Sequence, residues 1–304
     1  MPDLSVDLNG LELSNPVITA SGTCGYGLEL TDFIDLGRLG GVSVKGISLR
    51  PHEGNPPPRI VETAAGMLNA IGLQNVGAEA FAAEKLPRLR ELEATVIVNV
   101  WGNEIDDFVA VVERLDGEDG IAAYELNVSC PNISREWVEF GINPELTREL
   151  VGRVREATGR HLMVKLSPSA ADIAAVGRAA EDGGADSLSA INTILGLEID
   201  LERRRPALWK GTGGLSGPAI RPVALRCVWQ LYQAVSIPVV GIGGILALED
   251  ALKFFYAGAA AVQVGTASFV DPTTSIRLID DLERWCAKQG VERLSDLVGI
   301  AHEK

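Results

Sequence analysis

The amino-acid sequence predicts an α/β fold, a (β/α)8 barrel of the TIM type. Eight short β-rich runs alternate with helix-like stretches, and several runs are apolar almost throughout, as parallel strands buried on both faces are. The 304 residues suit such a barrel with insertions. An open doubly wound sheet shows the same alternation and is the alternative. We expect residues 1–304 to form one domain, because no linker, charged tail or low-complexity segment interrupts them.

An N-terminal β-hairpin is expected before the barrel. The stretch LSVDLNGLEL alternates apolar and polar residues around Asn9-Gly10, a pair that favours a two-residue type I′ turn. The eight predicted barrel strands then follow at 15–21, 40–46, 94–101, 122–129, 162–168, 186–193, 237–244 and 260–267.

Helix signals occupy the segments between these strands. Asn143 can cap a helix that has Pro144 at its first position. Ser169 and Asp172 have the spacing of a capping box before a second helix. The stretch ALEDALKFFYAG is a third candidate.

Three connections are too long to be plain turns. They are residues 46–80, 130–143 and 194–216, and each follows a predicted strand. In a barrel, the connections that follow strands lie at the C-terminal face, where active sites are built. The sequence therefore predicts inserted loops around a functional face.

Composition excludes several classes of protein. The formal net charge of −14 disfavours nucleic-acid and membrane-surface partners, because phosphate-rich surfaces would repel the chain. The four cysteines and three histidines form no metal-binding spacing, so we expect no metal site and a reduced, cytoplasmic location. The sequence has neither a secretory signal pattern nor an apolar run of about 20 residues.

Polar side chains stand near the carboxyl ends of five consecutive predicted strands. Burying an amine or an amide without a partner costs several kcal/mol. Each residue alone could be a satisfied core residue, but together they indicate convergence on one ligand. They are Lys45, Asn99, Asn127 with Cys130, Lys165, and Asn192 with Thr193.

Glycines follow the last two strands, with Gly241, Gly243 and Gly244 after the seventh and Gly265-Thr266 after the eighth. Such backbone presents N–H groups to a phosphate, and this barrel commonly binds phosphate there. Each cluster alone could be a tight turn. With the amides and lysines they fit flavin mononucleotide (FMN), and a cysteine opposite could remove a proton as hydride leaves a substrate.

A family resemblance rests on eight motifs in order: VKG, NAIGLQN, NVSCPN, VKLSP, INT, GGLSGPAIRP, GIGGI and VGTA. Over nearly the whole chain they resemble the dihydroorotate dehydrogenase family. The resemblance implies an FMN-containing oxidoreductase that converts dihydroorotate to orotate in pyrimidine biosynthesis.

Site residues follow by matching motif positions. Cys130 would be the base at C5 while hydride passes from C6 to flavin N5, with Lys45 as the second catalytic residue. The implied substrate contacts are Lys45, Asn69, Ala70, Ile71, Gly72, Leu73, Asn127, Asn192 and Thr193. The implied cofactor contacts are Ser21, Lys45, Gly46, Asn99, Asn127, Lys165 and Ile191 for the ring and ribityl chain, and Gly217, Gly243, Gly244, Gly265 and Thr266 for the chain and phosphate.

The chain is most similar to class 1B of that family. Cys130 in place of serine, and the lack of an N-terminal membrane-associating extension, resemble class 1. Class 1B implies a homodimer assembled with two electron-transfer subunits, a heterotetramer in which the partner carries FAD and a [2Fe–2S] cluster and reduces NAD⁺. The alternatives are a fumarate-linked class 1A enzyme, a dihydropyrimidine dehydrogenase-like enzyme and a non-catalytic phosphate-ligand-binding barrel.

One departure from the family concerns the loop after Cys130. Glu136 and Trp137 stand where the family usually has a glycine pair, which we expect to change how the loop closes. The remaining cysteines, Cys24, Cys227 and Cys286, are predicted to be buried packing residues.

Overall fold

Eight parallel strands close into a barrel in the computed structural model, which describes residues 2–129 and 140–303. In chain order the strands are β1 (Val6–Asp7), β2 (Glu12–Leu13), β3 (Val17–Thr19), β4 (Gly41–Ser43), β5 (Ile60–Thr63), β6 (Gly66–Asn69), β7 (Val96–Val100), β8 (Ile121–Asn127), β9 (His161–Leu166), β10 (Ser187–Ala190), β11 (Ile194–Leu197), β12 (Ile199–Asp200), β13 (Arg205–Pro206), β14 (Thr212–Ser216), β15 (Val239–Ile242) and β16 (Ala259–Val264).

The barrel follows the chain order β3, β4, β7, β8, β9, β10, β15 and β16, and β16 pairs back onto β3 with Val262 opposite Val17. The predicted (β/α)8 barrel is therefore confirmed, and this closure excludes the open doubly wound sheet. Each barrel strand falls within or beside one of the eight predicted runs.

Helices cover the outside of the barrel. They are α1 (Gly77–Ala80), α2 (Leu86–Glu91), α3 (Ile105–Leu115), α4 (Pro144–Ala157), α5 (Ile173–Asp182), α6 (Arg221–Tyr232), α7 (Leu248–Tyr256), α8 (Ala267–Val270) and α9 (Thr274–Gln289), with a π-helical turn at Phe81–Lys85 between α1 and α2. Short 3₁₀ turns occur at Leu28–Leu30, Leu36–Arg38, Phe140–Ile142, Pro218–Ile220, Leu294–Leu297 and Ile300–His302. None of the helices within residues 2–129 and 140–303 is long and apolar enough to cross a bilayer.

The predicted hairpin closes the bottom of the barrel. β1 and β2 pair antiparallel, and Asn9 and Gly10 both have positive φ (60° and 95°), as a type I′ turn requires. The hairpin leucines enter one apolar cluster with inward side chains from the amino ends of the barrel strands. This cluster contains Leu8, Leu11, Leu13, Ile18, Ile97, Ala123, Met163, Val240 and Ala261.

A polar layer lies directly above that apolar cluster. Side chains alternate along a strand, so the next inward positions stand two residues nearer the carboxyl ends. Six of these eight positions are polar, namely Ser43, Asn99, Glu125, Lys165, Ser189 and Gln263, all at most 5% exposed, and the other two are Ala20 and Ile242. The barrel is thus apolar at its base and polar beneath its C-terminal face.

Two of the predicted loops are ordered as a second sheet. β5 and β6 come from residues 46–80, β11 and β14 come from residues 194–216, and they pair antiparallel in the order β11-β14-β6-β5. These strands were not predicted, because glycines and polar residues interrupt the alternation of apolar and polar positions. The sheet joins both long connections into one wall at the C-terminal face.

The capping residue of one helix is the predicted one, and that of another helix is not. Asn143 Oδ1 accepts hydrogen bonds from the backbone N–H groups of Glu145 (2.9 Å) and Leu146 (3.2 Å), as predicted. The expected capping role of Ser169 is wrong. Helix α5 begins at Ile173, and the side chain of Asp172 caps it by accepting from Ala175 N at 3.0 Å.

Replacing Asn143 with Ala tests the cap of α4. The substitution removes the acceptor of two backbone donors, so we expect a loss of about 1 kcal/mol in the free energy of unfolding. Urea denaturation measures this loss. Asn143→Asp keeps the acceptor and should stay close to wild type; equal stabilities for Asn143→Ala and wild type would contradict the assignment.

Candidate active site

A cavity of about 320 Å³ opens at the carboxyl ends of the barrel strands. The predicted site residues that line it are Ser21, Lys45, Gly46, Asn69, Ala70, Ile71, Gly72, Leu73, Asn99, Asn127, Lys165, Asn192 and Thr193. A smaller cavity of about 70 Å³ shares some of these residues and adds Ile191, Gly217, Gly243, Gly244, Gly265 and Thr266. Every site residue implied by the family motifs, within the described part of the chain, therefore lines one of these two adjoining cavities. Gly241, which we also expected at the phosphate, lies within β15 and lines neither.

Three residues of the sequence analysis lie outside the described residues. They are Cys130, Glu136 and Trp137, which fall in the stretch between residues 129 and 140. Ser129, the described residue just before this stretch, lines the larger cavity.

The larger cavity is electropositive although the chain is acidic. Lys45, Lys165 and Lys210 line it, and its described lining includes no Asp or Glu side chain. Burial is the main cause of a pKa of Lys45 below its usual value, and the charge of Arg59 lowers this pKa further. A cavity with these cations attracts an anionic ligand despite the net charge of −14.

The carboxylate of Glu125 lies beneath this cavity and is fully buried. Its Oε2 accepts hydrogen bonds from Ser43 Oγ (3.0 Å) and Asn99 Nδ2 (2.7 Å), and its Oε1 accepts from Ser189 Oγ (2.8 Å) and Gln263 Nε2 (2.7 Å). Burial alone would raise the pKa of Glu125. The charge of Lys165 and the hydrogen bonds outweigh burial, so that the pKa falls below its usual value.

Asparagines from two strands meet at the cavity wall. Asn192 Nδ2 donates to Asn127 Oδ1 at 3.1 Å, and the backbone N–H of Ser129 also donates to that oxygen at 3.3 Å. Because this carbonyl oxygen is engaged within the protein, the side-chain NH2 of Asn127 is the group suited to a ligand. Asn192 Oδ1 accepts from the backbone N–H of Thr193 at 2.8 Å, which fixes that amide as well.

The loop that carries residues 69–73 is held from behind by Asn55. Its backbone N–H donates to Ile71 O (2.9 Å), and its side-chain Nδ2 donates to Ala70 O (2.9 Å). Asn69 in turn donates to Gly214 O at 3.3 Å, across the second sheet. These three hydrogen bonds hold residues 69–73 against the cavity.

Glycines shape the smaller cavity. Gly217, Gly243 and Gly244 have positive φ of 93°, 132° and 72°. A Cβ on Gly217 would lie 2.7 Å from Gly66 Cα, and one on Gly244 would lie 2.8 Å from Arg221 Cβ. Only glycine fits this close backbone cradle, and backbone N–H groups of this kind suit a phosphate. The residues present therefore fit the phosphate end of FMN.

Sequence reasoning missed several residues of the site. The walls added by the second sheet include Ile60, Met67, Leu195 and Thr212, which have no motif signal. They also include Gly213, Gly214 and Ser216, which stand within the GGLSGPAIRP motif but were not assigned to the site. Glu125 and Gln263 did have a signal, since both are polar residues inside apolar runs, the same pattern that identified Asn99 and Lys165.

The predicted burial of three cysteines is confirmed. Cys24, Cys227 and Cys286 are at most 3% exposed. Burial raises the pKa of Cys24 to about 11 and also raises the pKa of Cys227 and Cys286. These thiols are therefore protonated at neutral pH.

Within residues 2–129 and 140–303, no group of three His, Cys, Asp or Glu side chains could hold a metal ion.

Comparison with known proteins gives one consistent family. The profile of the family described as dihydroorotate dehydrogenase matches residues 3–285. A protein of Geotalea daltonii named dihydroorotate dehydrogenase B (NAD(+)), catalytic subunit, is 52% identical over 98% of both chains. A protein of the same name from Thermodesulfovibrio yellowstonii is 50% identical over 100% of both chains.

Solved structures also include a similar chain. The crystal structure of dihydroorotate dehydrogenase from Eimeria tenella, in complex with ferulenol, matches with a TM-score of 0.83 at 25% sequence identity. The match covers 100% of this chain and 90% of that one.

Substituting Gly244 tests the glycine cradle. Gly244→Ala forces a side chain into a left-handed conformation and against Arg221, so we expect a loss of about 1–3 kcal/mol in the free energy of unfolding. Gly265→Ala is the matched control, because its φ is not positive and its Cβ would meet Ala20 Cβ at 3.4 Å. Thermal unfolding of the flavin-free protein measures both. Equal losses would contradict the proposed backbone constraint.

Proposed function

Because the chain belongs to the dihydroorotate dehydrogenase family, we propose that it oxidises dihydroorotate to orotate in pyrimidine biosynthesis. The observation that carries the proposal is the convergence of the described motif residues on two adjoining cavities at the C-terminal face. A non-catalytic phosphate-binding barrel would need only the glycine cradle, not the lysines and amides beside it.

FMN is the proposed cofactor of this chain. Gly217, Gly243 and Gly244 would hold its phosphate end, while Asn99 and Lys165 would contact its ring. When bound, FMN supplies the two-electron acceptor for the hydride that leaves C6 of dihydroorotate.

The substrate is an anion, and the cavity suits it electrostatically. We assign the carboxylate and ring of dihydroorotate to Lys45, the loop 69–73, and the amides of Asn127 and Asn192. The ammonium of Lys45 attracts the carboxylate, and the rigid amides fix the orientation of the pyrimidine ring.

Cys130 is the proposed base. Its thiolate takes the proton from C5 as the hydride leaves C6, so that a double bond forms between these carbons and the cysteine ends as a thiol. Nearby lysines lower the pKa of a thiol and so favour the thiolate. This assignment comes from the NVSCPN motif, since Cys130 lies outside the described residues.

The relatives' name "catalytic subunit" supports a partner protein. We propose a cytoplasmic heterotetramer, in which a homodimer of this chain binds two electron-transfer subunits that carry FAD and a [2Fe–2S] cluster. Electrons would pass through them to NAD⁺.

Lys45 has a second proposed role, because its charge stabilises negative charge that develops near the substrate during oxidation.

Cys130→Ala tests the base directly. We expect the variant to bind FMN and orotate like wild type, but its flavin should be reduced by dihydroorotate about 10²–10⁴-fold more slowly. Anaerobic stopped-flow absorbance measures the reduction rate. Cys227→Ala in α6 is the matched control and should react at the wild-type rate. An unchanged rate in Cys130→Ala would refute the assignment.

Thiol labelling offers an independent test. Since the other three thiols are buried and their pKa values are raised, a thiol reagent added to the native protein at neutral pH should modify Cys130 first. Mass spectrometry of the digested protein identifies the labelled peptide. Faster labelling of Cys24 than of Cys130 would count against a reactive Cys130.

The electron acceptor distinguishes the two subclasses. The chain alone should turn over poorly with fumarate and with NAD⁺, and NAD⁺-dependent turnover should appear when a co-purified electron-transfer subunit is added. Sustained fumarate turnover by the isolated chain would instead favour the fumarate-linked class.

A further inference from the structure

Glu125 is a buried carboxylate that the proposed chemistry does not use. It stands on β8, two residues before Asn127, and does not line either cavity. An ionised carboxylate can accept about four hydrogen bonds. Glu125 accepts four, from Ser43, Asn99, Ser189 and Gln263. Each donor belongs to a different strand: β4, β7, β10 and β16.

This carboxylate determines which end of the Asn99 amide faces the cavity. A carboxylate only accepts, so the group that meets Glu125 Oε2 at 2.7 Å must be the Asn99 NH2. The Asn99 carbonyl oxygen is therefore turned the other way, toward Gly46, where a Cβ would lie 2.9 Å from it. Gly46 lines the larger cavity. The cavity is consequently offered the carbonyl acceptor of Asn99 at this point.

The same carboxylate balances a buried cation. Lys165 is 5% exposed, and its Nζ lies 3.5 Å from Ser21 Oγ. A buried ammonium is costly without a nearby negative charge. Glu125 supplies that charge from the layer below, and its electrostatic interaction with Lys165 is favourable. Lys165 and Asn99, the two proposed contacts of the flavin ring, thus both depend on Glu125.

We propose that Glu125 is a positioning residue of the active site, which holds Asn99 with its carbonyl oxygen toward the bound flavin and offsets the charge of Lys165. The inference rests on the proposed function, since it takes FMN as the ligand. It has two separable consequences. The hold on Asn99 would contribute to FMN affinity, and the negative charge of Glu125 near the cavity would disfavour added electrons and so lower the midpoint potential of the flavin.

The test compares Glu125→Gln, Glu125→Asp and wild type as full-length chains loaded with FMN. Glu125→Gln keeps the size but loses the charge. We expect its flavin midpoint potential, measured by spectroelectrochemical titration, to shift positive. Its dissociation constant for FMN, measured by flavin fluorescence, should rise about ten-fold. A change of this size corresponds to the loss of roughly one charge-assisted hydrogen bond.

Glu125→Asp keeps the charge but shortens the reach toward Asn99. Its FMN affinity should fall, while its midpoint potential stays closer to wild type than that of Glu125→Gln. Ser189→Ala is the matched control, because it removes one donor to Oε1 and leaves both the charge and the Asn99 contact in place. Neither the potential nor the FMN affinity of Ser189→Ala should change.

A purely structural role would lower stability and leave the flavin readouts alone. Wild-type potential and affinity in Glu125→Gln would therefore overturn the proposal. If Glu125→Gln does not fold, wild-type FMN affinity in Glu125→Asp overturns the positioning of Asn99. Wild-type protein that binds no FMN would refute the proposed function and this inference together, whereas FMN-binding wild type with unaltered variants would refute the inference alone.

Discussion

The buried carboxylate of Glu125, with its four donors, is the interaction on which the site depends. An isolated charge inside a barrel would cost many kcal/mol, and removal of any partner would leave a buried group unsatisfied. Because Ser43, Asn99, Ser189 and Gln263 come from four different strands around the ring, the network fixes the register of those strands with Glu125. A slip of one residue would turn each side chain to the opposite face.

The barrel and much of its site could be predicted from the sequence because both follow from local patterns. Apolar runs located the eight strands, and polar interruptions of those runs located Asn99, Asn127 and Lys165. The second sheet could not be predicted, since three of its four short strands contain glycine. The pairing of β6 with β14, which joins its two halves, also links residues about 145 positions apart, as between Asn69 and Gly214. The predicted role of Ser169 in capping α5 was wrong, because Asp172 lies three residues later and its side chain is equally able to accept a hydrogen bond from a backbone N–H group.

The burial of Glu125 could be predicted from the sequence, but its role could not. It interrupts an apolar run as plainly as Lys165 does, yet it serves the layer below the ligand and not the ligand itself. Sequence shows that a polar residue is buried, but only the structure shows which neighbours satisfy it. The local charge is equally a tertiary property, because lysines from distant parts of the chain make a positive cavity in a protein whose net charge is −14.

We propose that this positive cavity selects an anionic dihydropyrimidine, which a bound flavin oxidises. Anaerobic absorbance of the FMN-loaded wild-type protein, after mixing with dihydroorotate and separately with dihydrouracil, tests this selection. The two compounds share a ring and differ in the carboxylate. Rapid bleaching of the flavin by dihydroorotate and little by dihydrouracil is the predicted result. Bleaching by dihydrouracil but not by dihydroorotate would contradict the account.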